Sequence, residues 1–123
     1  MTDQEIEQEI KAKGLTAPRV TPADIEANIA SEFYFTAEEG VLGASSMGTR
    51  PAGIASSLGL LTFCVLVLRN GFTVTGESSC AHPDNFDAAL GRKIARKNAV
   101  DKMWPLMGYE VKTQVHLRTL AGY

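Results

Sequence analysis

The residue types best able to do covalent chemistry lie close together in one short stretch. Cys80 and His82 are two residues apart, and Ser78 and Ser79 precede them. A thiol or hydroxyl nucleophile needs a base within hydrogen-bond reach, and residues two apart share a face only while a strand continues. Pro83 breaks any strand here. We therefore place a small enzyme with a Cys/His or Ser-based site third, behind two kinds of binding function, and assign no catalytic residue.

Metal-binding atom types also occur, without the spacing that metal sites need. Cys64, Cys80, His82 and His116 carry suitable ligand atoms. None of them forms the closely spaced pairs typical of zinc sites. The sequence also has no phosphate-binding loop and no dinucleotide fingerprint. We expect no metal and no cofactor.

A basic stripe is the more informative pattern. Arg92 and Arg96 are one helical turn apart, beside alanines whose small side chains permit close approach. Guanidinium groups held there can grip a phosphate in two-point contacts, and Arg69 can add a third base. The alternative is that these bases are solvated, or pair with nearby aspartates or with the acidic amino-terminal half.

Three further residues are candidates for binding. Trp104 precedes Pro105 at a predicted helix end, where a tryptophan either closes the core or anchors a partner. Tyr109 follows it and is a candidate for the same contact. Glu77 lies in a predicted strand, and if buried its carboxylate needs a positive or hydrogen-bonding partner. With the arginines, these residues make up the expected ligand-binding set: Arg69, Glu77, Arg92, Arg96, Trp104 and Tyr109.

The elements that must position these residues are organised around residues 60–80. Two runs rich in β-branched and aromatic residues flank Asn70-Gly71, a pair that tolerates the positive φ angles of a tight turn. The pattern predicts a long β-hairpin. With a two-residue turn, Leu66 faces Thr75.

Side-chain alternation in this register sorts the hairpin onto two faces. The face expected to meet the core holds Phe63, Val65, Val67, Phe72, Val74 and Cys80. The other face is apolar on the first strand and polar on the second, which suggests that a further strand, a helix or a partner subunit covers it. Cys64 lies on this second face, opposite Cys80, so we expect two free thiols.

Two helices are predicted before the hairpin. Thr2 and Glu5 form a capping-box pattern for a helix within residues 1–17, which has few apolar residues and is expected to be peripheral. Thr21-Pro22 starts a second helix, on which Ile25, Ile29 and Phe33 share one face. Residues 43–59 are rich in Gly, Ser and Ala and are expected to be a flexible loop.

After the hairpin, the sequence predicts a helix and then a strand. The helix extends from about residue 85 to 104 and ends at Pro105, since proline disrupts a helix interior. From Tyr109 to Leu117 apolar and polar residues alternate, which is typical of a strand with one wet face. We therefore expect an α+β fold: a small antiparallel sheet of the hairpin plus this carboxy-terminal strand, packed by the long helix and the amino-terminal helices.

Length and charge restrict the class of protein. A chain of 123 residues predicts one domain over residues 1–123. The most apolar stretch, Leu58 to Leu68, is too short to cross a membrane, and the acidic amino terminus is unlike a secretory signal. Net charge is −2, with nine acids and four bases in residues 1–60 against five acids and eight bases afterwards. A net negative chain with one basic helix fits nucleic-acid binding poorly.

Residues 70–109 carry a family resemblance. Asn70-Gly71-Phe72, Gly76-Glu77-Ser78, Asn85-Phe86-Asp87, Gly91-Arg92-Lys93-Ile94-Ala95 and Trp104-Pro105-Leu106 together resemble the tailed-bacteriophage gene-product forty-nine/gene sixty-six family. The resemblance continues more loosely through residues 21–40. It implies a phage accessory protein acting in the host cytoplasm, and it brings no assigned reaction and no catalytic residues.

Two binding functions follow from these patterns. The leading hypothesis is a non-catalytic anti-defence protein that sequesters a small nucleotide-derived signal in a basic pocket. It is based on analogy with other small phage proteins and on the positive charges of Arg69, Arg92 and Arg96. The alternative is an inhibitor or adaptor that caps a host protein. In either case we expect a homo-oligomer, because several predicted apolar surfaces lack a cover within one chain.

Overall fold

The computed structural model describes residues 1–45 and 56–122. The elements in chain order are α1 (Asp3–Ala12), α2 (Pro22–Ala27), β1 (Ile29–Thr36), α3 (Ala37–Ala44), a 3-10 turn (Ser56–Leu60), β2 (Leu61–Leu68), β3 (Thr73–Ser79), a second 3-10 turn (Pro83–Asn85) and α4 (Ala88–Leu120).

The three strands form one antiparallel sheet in the order β1-β2-β3. α4 packs across one face of this sheet, and Ile25 of α2 joins the same core. The predicted α+β class and the hairpin sheet packed by a long helix are confirmed. The third strand, however, is β1 and not a carboxy-terminal strand.

The hairpin register differs from the prediction by one residue. Leu66 lies opposite Val74 and not opposite Thr75. The backbone N–H of Leu68 donates to the Phe72 carbonyl at 2.8 Å, so three residues form the loop where two were expected. Gly71 occupies the third position with a φ of +88°, which a glycine adopts without strain.

Because side chains alternate between the two faces of a strand, this shift of one residue moves every side chain of the first hairpin strand to the opposite face. The predicted core face, with Phe63, Val65 and Val67, is wrong for β2. The side chains of β2 and β3 that are buried against α4 are Thr62, Cys64, Leu66, Leu68 and Val74. Both cysteines are free thiols, as expected. Cys64, however, lies on the core face of the sheet and not on the opposite face, where it was predicted.

The second predicted helix is shorter than expected from the four-residue spacing of Ile25, Ile29 and Phe33. Asn28 is the C-cap of α2, and the chain then enters β1, which contains both Ile29 and Phe33. The expected helical face of these two residues is therefore wrong. Strand pairing to the apolar β2 prevails because Ile29–Thr36 is rich in aromatic and β-branched side chains.

The last element is one helix where a helix and a strand were expected. α4 continues through Pro105 to Leu120, so residues 109–117 are helical and the carboxy-terminal strand is wrong. Its N-cap is Asp87, two residues after the predicted start of the helix at about residue 85. Tertiary packing on both sides of the proline explains its tolerance, since Met103 is fully buried and Met107 packs against the core.

The first three helices each begin at a threonine N-cap. Thr2 with Glu5, Thr21 with Asp24, and Thr36 with Glu39 each form a reciprocal capping box. Of the predicted 43–59 loop, residues 46–55 lie outside the described residues. Its first residues end α3 and its last ones belong to the 3-10 turn.

Candidate functional site

The guanidinium of Arg96 is held by two carboxylates. Its two terminal nitrogens donate to Glu26 at 3.0 and 2.7 Å, and its Nε donates to Glu32 at 3.1 Å. These contacts raise the pKa of Arg96, and the hydrogen bonds from Arg96 lower the pKa of Glu26. Of the two sequence-based interpretations of Arg96, pairing with the acidic amino-terminal half is the arrangement observed.

Arg92, one helical turn earlier, has a different environment. It makes no ion pair with any residue of the described part of the chain, and its side chain lines a cleft of about 200 Å³. We call this the Arg92 cleft. Its other lining residues come from β1, α3, β2, the end of the second 3-10 turn and the first residue of α4, and they are Tyr34, Phe35, Thr36, Glu39, Thr62, Phe86 and Ala88.

Two groups fix the polar side of the Arg92 cleft. The Tyr34 hydroxyl lies 3.2 Å from the Glu32 carboxylate, and burial is the main reason that the pKa of Tyr34 rises to about 12. Glu39 accepts the backbone N–H of Thr36 at 2.9 Å, which holds its carboxylate at the start of α3. The cleft thus combines one cation, one anchored carboxylate and aromatic rings.

Arg69 does not join the other two arginines. Its Nε donates to the Ala27 carbonyl oxygen, and its backbone N–H donates to Asn28. Arg69 lines a separate cavity of about 580 Å³, larger than the Arg92 cleft. The expected three-base grip on one phosphate is therefore not formed within the chain.

We call this larger cavity the α4 groove. One wall consists of the second half of α4, namely Met107, Glu110, Val111, Gln114, Val115 and Arg118. The facing wall comes from the α1–α2 linker, α2 and the hairpin loop, and includes Pro18, Val20, Asp24, Asn28 and Arg69. The groove therefore carries acids and bases on an apolar floor.

The remaining predicted site residues lie apart from both cavities. Trp104 packs against the core and lines a third cavity together with Ile6 and Ile10 of α1, and its buried indole nitrogen has no hydrogen-bond partner among the described residues. This position fits the core-closing interpretation of Trp104. Tyr109 is 77% exposed on α4, and Glu77 is exposed on the sheet face that α4 does not cover.

The residues with catalytic atom types do not form a nucleophile and base pair. The Cys80 thiol donates to the His82 carbonyl oxygen, and His82 Nδ1 accepts the backbone N–H of Asp84. His82 thus caps a 3-10 turn. Within the described residues, no three His, Cys, Asp or Glu side chains are grouped closely enough to hold a metal ion.

Sequence reasoning missed several residues of these sites. Tyr34 reaches the Arg92 cleft only because β1 is a strand beside β2, which the helix assignment to Ile29 and Phe33 concealed. Phe86 reaches it from the end of the second 3-10 turn, where a helix was predicted. Arg118 and Glu110 reach the α4 groove only because α4 continues past Pro105. A spacing of three and four residues from Met107 to Arg118 was the signal that could have indicated a helical face.

Comparison with known proteins gives one match. The model of the family described as Phage protein (N4 Gp49/phage Sf6 gene 66) matches residues 20–115. The curated proteins and the solved structures give no match. Within the described residues, no helix has both the length and the apolar character needed to span a bilayer.

Proposed function

Since the chain belongs to the phage protein (N4 Gp49/phage Sf6 gene 66) family, we propose that it is a non-catalytic phage accessory protein that binds a small nucleotide-derived ligand in the Arg92 cleft. Sequestering such a signal in the host cytoplasm would oppose a nucleotide-based bacterial defence. The residues proposed to contact the ligand are Arg92, Tyr34 and Phe86.

The observation that carries the proposal is the pairing of an uncommitted arginine with aromatic rings in one cleft. Arg96 is neutralised by Glu26 and Glu32, whereas Arg92 makes no ion pair within the described residues. A guanidinium binds a phosphate in two parallel hydrogen bonds, and aromatic side chains stack on nucleobases. Arg92 beside Tyr34 and Phe86 offers both kinds of contact.

The size of the cleft restricts what enters it. A volume of about 200 Å³ is below the range of roughly 300–1,000 Å³ typical of pockets that enclose whole drug-sized ligands. The cleft therefore accommodates one base or one phosphate-bearing unit, with the rest of the ligand outside. Glu39 can accept a hydrogen bond from an amino group of a base, which would favour adenine, guanine or cytosine over uracil.

Isothermal titration calorimetry against cyclic nucleotides and ADP-ribose derivatives tests this proposal. We expect at least one of these compounds to bind, and Arg92→Ala to weaken that binding by at least about tenfold, since a hydrogen bond to a charged group contributes about 1.5–3 kcal/mol.

Lys93→Ala is the matched control. Lys93 is the exposed neighbour of Arg92 on α4 and does not line the cleft. The Lys93→Ala variant should bind the compound with the same affinity as the wild type. Binding of nothing in the panel, or equal losses in both variants, would contradict a specific site at Arg92.

A protein-binding function is the second candidate, because apolar side chains remain exposed along the second half of α4. Tyr109 is 77% exposed and Leu120 is 71% exposed. Aromatic residues on such surfaces are frequent anchors in interfaces. A pull-down from host lysate with wild type and Tyr109→Ser separates the candidates: a host protein captured only by the wild type supports capping of that protein.

A further inference from the structure

The second half of α4 presents one continuous face to the α4 groove, on which Met107 packs against the core and Val111 and Val115 do not. Its residues recur at spacings of three and one, from Met107 to Arg118, as one side of a helix requires. Val111 and Val115 form the apolar centre of this face, with Gln114 between them in sequence. Such a stripe is suited to receiving another helix.

The charges on this face lack partners. Glu110 and Arg118 make no ion pair and no side-chain hydrogen bond within the described residues. They are eight residues apart on α4, which is about 12 Å along the axis, so they cannot pair with each other in one chain. If a second copy of α4 lies antiparallel to the first, its Arg118 and Glu110 are at the same separation in the opposite order, so each acid can face a base.

We propose that the α4 groove is the interface of a symmetric homodimer, in which the second halves of two α4 helices pack antiparallel. With the two-fold axis at Gln114, each Glu110 lies opposite Arg118 of the second copy, and both ion pairs form at once. A parallel arrangement would place Glu110 against Glu110 and Arg118 against Arg118, which is repulsive. The charges therefore select the antiparallel orientation.

The same arrangement buries apolar side chains. Val111 and Val115 are half-buried in one chain, and the helix of the second copy would cover the rest of both side chains. Burying these side chains adds a hydrophobic contribution to the two ion pairs.

The contact from Met107 to Arg118 is short, about 17 Å of helix. A standard interface buries about 800 Å² on each partner. The facing wall of the groove, with Val20 and Arg69, must therefore contribute to the contact. We expect association in the micromolar range. The dimer leaves the Arg92 cleft open, because Arg92 lies near the opposite end of α4.

Sedimentation velocity over a concentration series tests the proposal by charge reversal. We expect the wild type to dimerise, and Glu110→Arg and Arg118→Glu each to weaken dimerisation by at least about tenfold, since each creates two like-charge contacts across the axis. The double variant E110R/R118E should dimerise again. An equimolar mixture of the two single variants should also dimerise, because both ion pairs can then form only between different chains.

Lys112→Glu is the matched control, since Lys112 lies on the same helix but does not line the groove. It should dimerise like the wild type, and circular dichroism should show the same helix content for every variant. A wild type that is monomeric throughout the series, single reversals without effect, or a mixture that stays monomeric would each overturn the proposal.

Discussion

Gly76 of β3 lies directly beneath Ala99 of α4, with no space for a side chain between them. A methyl group built on Gly76 would lie 2.9 Å from the Ala99 Cα and would overlap the backbone nitrogen of Ala99 and the Ala95 carbonyl oxygen. The helix and the strand therefore meet backbone to backbone. This contact sets the height of α4 above the sheet, and with it the position of Arg92 and Arg96.

Replacing Gly76 with alanine should destabilise the protein strongly. The atoms that the methyl group would meet belong to the helix backbone, so α4 as a whole must shift. Overpacking of this kind costs about 1–3 kcal/mol and occasionally more, and we expect the upper end. Urea denaturation followed by circular dichroism measures the change in the free energy of unfolding.

Gly108→Ala is the control for the Gly76 variant. Gly108 lies inside α4, and no atom lies within 4 Å of a methyl group built on it, apart from the local helix backbone. Alanine should stabilise the helix there by about 0.5–1 kcal/mol. If Gly76→Ala also proved neutral or stabilising, the close approach of α4 to β3 would be wrong.

The ion pair between Glu7 and Arg19 should make the attachment of α1 dependent on pH. Glu7 is 6% exposed, and the Arg19 guanidinium donates to both of its carboxylate oxygens. These hydrogen bonds lower the pKa of Glu7 below its value in the unfolded chain. The pair therefore contributes stability above the unfolded-state pKa, and that contribution is lost as pH falls through the lower pKa of the folded state.

Glu7→Gln should accordingly be less stable than the wild type at neutral pH, and the difference should disappear in acid. Thermal unfolding measured from neutral pH to pH values below the carboxyl range checks this. Glu9→Gln is the comparison, since Glu9 pairs with Lys13 on the exposed side of the same helix. A difference between Glu7→Gln and wild type that did not change with pH would exclude the ion pair as its cause.

Substitution of Arg96 should lower the stability of the protein, whereas substitution of Arg92 should affect ligand binding and leave stability nearly unchanged. Arg96 makes three hydrogen bonds to Glu26 and Glu32 that join α4 to α2 and β1. Because Glu26 and Glu32 are partly exposed, solvent weakens these contacts, and we expect Arg96→Ala to cost only about 1 kcal/mol. Arg92→Ala should change stability by less than about 0.5 kcal/mol, as surface substitutions usually do.

Chemical denaturation of the two variants measures both effects. A double-mutant cycle with Glu26→Gln should show a coupling energy for Arg96 and none for Arg92. Equal stability losses for the two arginines would mean that Arg92 is also held by the fold, and it would remove the basis for assigning Arg92 to a ligand.

The sequence predicted what depends on short-range patterns. The capping box of α1, the start of α2 at Thr21-Pro22, the hairpin and the antiparallel sheet packed by a long helix all follow from residues within a few positions of one another. The register failed by one step, because Asn70-Gly71 fits both a two-residue turn and the three-residue loop that forms. The cavities could not be predicted, since they join residues of four elements.

The path of the chain after Trp104 failed for a different reason. Pro105 and the alternation from Tyr109 to Leu117 both favoured a strand, yet that alternation also contains Val111 and Val115, which are four residues apart and lie on one side of a helix. Packing of Met103 and Met107 on either side of Pro105 decided the outcome. Local propensity was outweighed by tertiary contacts.

Replacing Pro105 with alanine should therefore stabilise the protein. A proline inside a helix removes one backbone hydrogen bond, here to the Asp101 carbonyl, and costs about 3 kcal/mol relative to alanine. Part of this cost is offset, because proline also restricts the unfolded chain by about 0.4–1 kcal/mol. Since Pro105 is exposed, its replacement loses little packing. We expect a net gain of about 2 kcal/mol in the free energy of unfolding.

Urea denaturation of Pro105→Ala measures this gain, and hydrogen exchange of the amides from Leu106 to Leu120 shows whether the second half of α4 becomes more protected. The same variant tests the geometry of α4 in the proposed dimer. If Pro105 sets the direction of the helix beyond it, dimerisation should weaken while stability rises. If Pro105→Ala destabilises the protein, the direction that proline imposes on α4 is itself required for packing against α2.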